Sequence, residues 1–131
     1  MTIEEKVNYW LHLANESLDD AKGLLETKRY LFAGFACHLA VEKALKAAIQ
    51  ARGIEHDRSH DLGKLAKKAE LFEKLNQEQI LFLGILMPLQ IEGRYASYKD
   101  KIAASLNSEK AFEIYEKAKE MVEWVQAMLA K

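Results

Sequence analysis

The sequence predicts an all-α protein, an antiparallel up-and-down bundle of four long helices with one short helix. Three observations predict it. Apolar residues recur at steps of three and four over long stretches, and no stretch sustains alternation of period two. With one proline and six glycines in 131 residues, little interrupts helix formation. Half of the residues are apolar, enough for a real core, and no linker or repeat divides the chain, so one domain over residues 1–131 is expected.

The elements follow in order. Thr2 with Glu5 fits a capping box. Behind it Ile3, Val7, Trp10, Ala14, Leu18, Ala21 and Leu25 form one face of a helix over about 3–27. "TKRY" breaks it. A second helix over about 30–52 stops at Gly53. The polar connection "GIEHDRSHDLGKL" leads into a short helix near 61–69, with Ser59 or Asp61 as its cap. Asn76 caps a fourth helix running to about 95, kinked at Pro88 because the proline ring crowds the Gly84 carbonyl. "SYKDKIAASLNSEK" reads as a loop with one turn. Asn107 or Ser108 caps the last helix, whose stripe is Ala111, Tyr115, Ala118, Val122, Val125 and Leu129. Trp10, Phe32, Phe35, Phe82, Phe112 and Trp124 fall at helical spacing among aliphatics and are expected in the core.

The charge balance bounds the partners. Charged residues are 30% of the chain, mixed in sign, with a formal net charge of -1. That argues against strong non-specific attraction to nucleic acid or to an acidic membrane, and no DNA specificity is inferred. The single cysteine, Cys37, excludes a disulfide framework and reads as a small buried hydrophobe. No apolar run reaches the ~18 residues of a membrane span. The acidic, amphipathic start "MTIEEKVNYW" is unlike a signal peptide, so a soluble, cytoplasmic protein is expected.

One stretch stands out. "FACHLAVEKALKAAI" in the second helix is apolar on nearly every side, yet it carries Glu42, Lys43 and Lys46, with His38 one turn earlier. Glu42 and Lys46 stand in the favourable i, i+4 order for an ion pair. They pair with each other while the lysine stems run outward, or they meet charges on another helix or subunit.

Two further clusters are polar. "HDRSHD" sets His56, Asp57, His60 and Asp61 at a spacing that could hold a metal on a helix. It falls in a connection and further ligands are not evident, so no metal centre and no cofactor are assigned. His60 is read as hydrogen-bonding locally. "EGRYASYKDKI" combines the charges of Arg94, Lys99 and Lys101 with the rings of Tyr95 and Tyr98. An arginine grips phosphate in bidentate fashion, and a tyrosine stacks on an unpaired base. Arg94, Tyr95, Tyr98 and Lys99 are therefore the candidate ligand-binding residues.

"AVEKALKA" at 40–47, "HDL" at 60–62 and "GRY" at 93–95, set between long first and last helices, resemble the HEPN family (higher eukaryotes and prokaryotes nucleotide-binding domain). The resemblance covers almost the whole chain. It implies a helical bundle that commonly forms a homodimer. Many relatives are encoded beside a small nucleotidyltransferase and act as a toxin–antitoxin pair, and the toxic members are metal-independent ribonucleases. Catalytic members carry an arginine, four to six residues, then a histidine on the fourth helix. Arg94 matches the arginine and is the candidate catalytic residue. The positions after that gap are Lys99, Asp100 and Lys101, and no histidine follows Arg94. The expectation is RNA or nucleotide binding near Arg94 with weak or absent ribonuclease activity. The alternatives are a non-catalytic dimeric scaffold for a nucleotidyltransferase, or a divergent metal-independent ribonuclease using Arg94 with Tyr98, Lys99 or Asp100.

Overall fold

The computed structural model describes residues 1–55 and 58–131. Among them it is all-helical, with three long helices, α1 (Ile3–Glu26), α2 (Tyr30–Ala51) and α6 (Ser108–Leu129). Three short ones stand between α2 and α6, namely α3 (Leu62–Lys68), α4 (Gln77–Leu86) and α5 (Ala96–Ala104).

The caps sit where local chemistry puts them. Glu5 N–H donates to Thr2 Oγ1 and Thr2 N–H donates to Glu5 Oε1, closing the box. Asn76 and Gln79 make a second box at α4. Asp61 accepts from the Lys64 N–H and Asn107 from the Lys110 N–H, which fixes the starts of α3 and α6. Between α1 and α2 the connection is only Thr27, Lys28 and Arg29, so α2 folds back along α1. Lys28 makes the turn in the left-handed region, at φ 61°.

α2 is the central element, packed against both α1 and α6 and touched by α3, α4 and α5 as well. It succeeds because its stripes of Ala33, Cys37, Val41, Ala44 and Ala48 are small enough for close helix approach. Burial pushes the Cys37 thiol up to about 12, so it stays protonated and packs as a hydrophobe. Phe82 is buried, but Phe32 and Phe112 are exposed, at 41% and 55%, because they lie on the outer flanks of α2 and α6. The expectation that both would be core residues is corrected.

The larger correction concerns the fourth helix. It does not continue to residue 95 through a kink. α4 ends at Leu86, a 3-10 turn covers Met87–Leu89, and a separate helix, α5, occupies most of the stretch read as a loop. Pro88 has no N–H to give and its ring crowds the turn behind it, so the helix stops rather than bends. Two carbonyls are thereby released from helical duty. Leu86 O accepts from His38 Nδ1 at 3.0 Å, and Pro88 O accepts from the Tyr98 hydroxyl at 2.8 Å. The break thus ties α4 to α2 on one side and to α5 on the other.

Candidate functional site

The charges of α2 form a hub within the chain. Glu42 is only 4% exposed. Its Oε2 accepts from Lys46 Nζ at 3.0 Å, and its Oε1 faces His60 Nδ1 at 2.9 Å. His38 Nε2 lies 3.2 Å from the same Oε1, though without good hydrogen-bond alignment. Both groups beside the His38 ring, Leu86 O and Glu42 Oε1, are acceptors. Lys46 Nζ also sits 5.6 Å from the centre of the Trp10 ring of α1. Lys43 turns to the α1 side and donates to Ser17 Oγ at 2.9 Å.

Burial by itself pushes the Glu42 carboxyl up. The contacts from His38, Lys46 and His60 outweigh it and hold the carboxyl down at about 2. Glu42 is therefore an anion at neutral pH. The i, i+4 pair expected from the sequence is present, and Glu42, Lys43 and Lys46 each find a partner within the chain. The charges at 42, 43 and 46 thus supply no physical need for a second copy.

His60 corrects the sequence reading more sharply. Among the described residues it has no local side-chain hydrogen bond. It reaches Glu42, a residue 18 positions away, from the connection before α3. The remaining part of that cluster, His56 and Asp57, lies outside the described residues. Among the described residues no group of three or more histidine, cysteine, aspartate or glutamate side chains is placed to hold a metal.

Beside the hub is a cleft of about 440 Å3 lined by His60, Asp61, Met87, Gln90, Glu92 and Arg94. Arg94 is not on the fourth helix as expected. It closes a turn, donating its N–H to Ile91 O at 3.1 Å, and Gly93 makes that turn possible at φ 76°. The Arg94 guanidinium lies 4.4 Å from the centre of the Tyr98 ring. Since the Tyr98 hydroxyl is anchored on Pro88 O, the ring is a fixed platform for the guanidinium. Tyr95 is the N-cap residue of α5 and is 85% exposed. Lys99 follows on the first turns of α5. So Arg94, Tyr95, Tyr98 and Lys99 are gathered at one break in the fold, but only Arg94 of the four lines the cleft. Gln90 and Glu92 were not selected from the sequence, and His60 was weighed there only as a metal ligand or a local hydrogen-bonding group. The "HDL" element did flag His60, yet nothing local reveals that its partner is Glu42.

The fold and this arrangement define a helical domain with a polar hub buried in its central helix and an arginine-bearing cleft beside it. The chain belongs to the HEPN domain family, whose model matches residues 7–128. Among solved structures it is similar to TT1696 from Thermus thermophilus, with a TM-score of 0.74 and 25% identity over 93% of this chain and 97% of that one. It is also similar in fold to ST0689, an archaeal HEPN homologue, with a TM-score of 0.67 and 23% identity over 94% of this chain and 97% of that one. No curated protein matches the sequence significantly.

Proposed function

We propose that this HEPN-domain protein binds RNA or a nucleotide through phosphate contacts at Arg94 and serves in a nucleotidyltransferase-linked system of the toxin–antitoxin type. The observation that carries the binding half is the guanidinium of Arg94, stacked on the anchored Tyr98 ring at the mouth of a cleft. A planar cation held on a fixed ring is organised for bidentate contact with a phosphate. The exposed Tyr95 ring beside it offers a face for a base, and Lys99 adds charge. Family membership supports the link to a nucleotidyltransferase and a homodimer. Among the described residues no helix is long and apolar enough to cross a membrane.

Ribonuclease activity is weak or absent in this reading. No histidine follows Arg94, and Lys99 and Lys101 are poor proton acceptors. Titration of a short single-stranded RNA and of a mononucleotide at two salt concentrations tests the binding. Affinity should fall with salt and be largely lost in Arg94→Ala. Unchanged affinity in that variant would remove the site and leave the scaffold reading. Robust metal-free cleavage abolished by Arg94→Ala would overturn the low-activity reading. Sedimentation at micromolar concentration should give twice the mass of one chain, and a single-chain species would count against the dimer.

A further inference from the structure

A second groove, of about 380 Å3, lies between the end of α1 and the start of α6 and shares no lining residue with the Arg94 cleft. Its apolar lining is Leu25 with three aromatic rings, those of Tyr30, Phe112 and Tyr115. The Phe112 and Tyr115 rings stand 6.4 Å apart and are tilted by 44°. Phe112 leaves more than half of its surface to water, the feature that set it outside the core. Glu26 and Glu116 bring two carboxylates to the same groove, and Lys22 and Lys119 bring two ammonium groups. Among the described residues none of these four side chains makes an ion pair or a hydrogen bond.

Elsewhere the chain covers rings with its own cations. Arg29 lies 5.1 Å from the centre of the Phe32 ring, Lys67 4.9 Å from that of Phe72, and Arg94 4.4 Å from that of Tyr98. Among the described residues no cation covers Tyr30, Phe112 or Tyr115 in this way. Charge alone does not choose an occupant for the groove, since two carboxylates and two ammonium groups cancel. The rings decide it, because an aromatic face is negative and attracts a cation. A guanidinium uses every part of that half of the lining. Its plane stacks on a ring, and its fork of N–H groups matches a carboxylate. The two lysines repel it, and they suit a carboxylate at the other end of the same ligand. The volume is that of a small-molecule pocket.

We propose that this groove binds free arginine, or a small guanidinium compound that likewise carries a carboxylate. The rings of Tyr30, Phe112 and Tyr115 take the guanidinium face, Glu26 and Glu116 accept its N–H groups, and Lys22 and Lys119 meet the carboxylate. This site is independent of the Arg94 reading.

Nitrogen-15 chemical-shift titration of the full chain tests it with L-arginine, L-citrulline, L-lysine and N-acetyl-L-arginine amide. L-Citrulline keeps the shape and loses the charge, so it should bind about 10-fold or more weaker than L-arginine, the scale of a hydrogen bond to a charged group. L-Lysine keeps the charge without the flat fork and should also bind more weakly. The blocked amide keeps the guanidinium without the carboxylate and should fall behind L-arginine as well. The shifts should centre on Tyr30, Phe112 and Tyr115. Phe112→Ala, at an exposed position, should cost about 2- to 5-fold in affinity for L-arginine. Glu26→Gln combined with Glu116→Gln should remove the preference for L-arginine over L-citrulline. No shifts at these rings, equal binding of L-citrulline or L-lysine, or a preference that survives the double variant would each overturn the proposal. So would a blocked amide bound as tightly as L-arginine, which would assign the groove to an arginine side chain of a protein instead.

Discussion

His60 Nδ1 lies 2.9 Å from Glu42 Oε1, which joins an exposed connection to the most buried helix of the domain. The carboxylate is shared with Lys46 and with His38, whose other nitrogen holds the carbonyl released by the end of α4. One side chain thus connects three segments, and its removal should be felt in all of them.

Glu42→Gln should destabilise the domain by about 3–5 kcal/mol, because it leaves the buried Lys46 ammonium and the His38 ring without their anion. Urea unfolding monitored by circular dichroism measures it. A loss below about 1 kcal/mol would show that the hub relaxes or hydrates freely, against the burial described.

Acid should weaken the fold in a defined window. The Glu42 carboxyl is lowered from 4.5 to about 2 in the folded chain, so the unfolded chain takes up its proton first as the pH falls. Its contribution is full above about 4.5 and drains away as the pH approaches about 2. Glu5, lowered by the Thr2 backbone hydrogen bond and the capping hydroxyl, slopes the same way. Stability measured from pH 6 to pH 2 should fall less steeply in Glu42→Gln than in the unmodified chain. Parallel curves would mean that Glu42 is not the titrating group.

Tyr98→Phe isolates the platform from the cation. The variant loses only the hydrogen bond to Pro88 O, so stability should fall by about 0.5–1.5 kcal/mol. The ring stays but is no longer pinned, so ligand affinity should drop less than in Arg94→Ala. If Tyr98→Phe binds as poorly as Arg94→Ala, the hydroxyl itself contacts the ligand, and its role as an anchor is wrong.

Lys28→Gly should stabilise the chain by about 0.5–1 kcal/mol. Lys28 occupies the left-handed region at φ 61°, where a side chain is strained and glycine is not. The cost of extra freedom in the unfolded glycine chain offsets part of the gain. A loss of stability on thermal melting would indicate that the Lys28 side chain contributes more than its backbone costs.

Much of this architecture was readable from neighbouring residues. The Thr2–Glu5 box, the Asn76, Asp61 and Asn107 caps and the stripes of α1 and α6 depend on contacts within one turn or one face. Such contacts are written in local spacing, so the long helices and the all-α class came out of the sequence alone. The Glu42–Lys46 pair was legible for the same reason. The outcome at Pro88 was not. A proline there is compatible with a kink or a stop, and the choice turned on whether the freed carbonyls found partners. His38 and Tyr98 supply them, from segments 48 and 10 residues away. His60 could not be placed for a like reason. Its donor site, its half-exposed ring and its neighbour Arg94 were all visible as residues, but their meeting depends on how α2, α3 and the turn before α5 pack. The sequence by itself determined where helices start, which faces are apolar and which residues carry charge. Only the tertiary structure decided which of those charges share a carboxylate and which line a cleft, because burial makes an unpaired polar group costly and so selects partners by packing rather than by order along the chain.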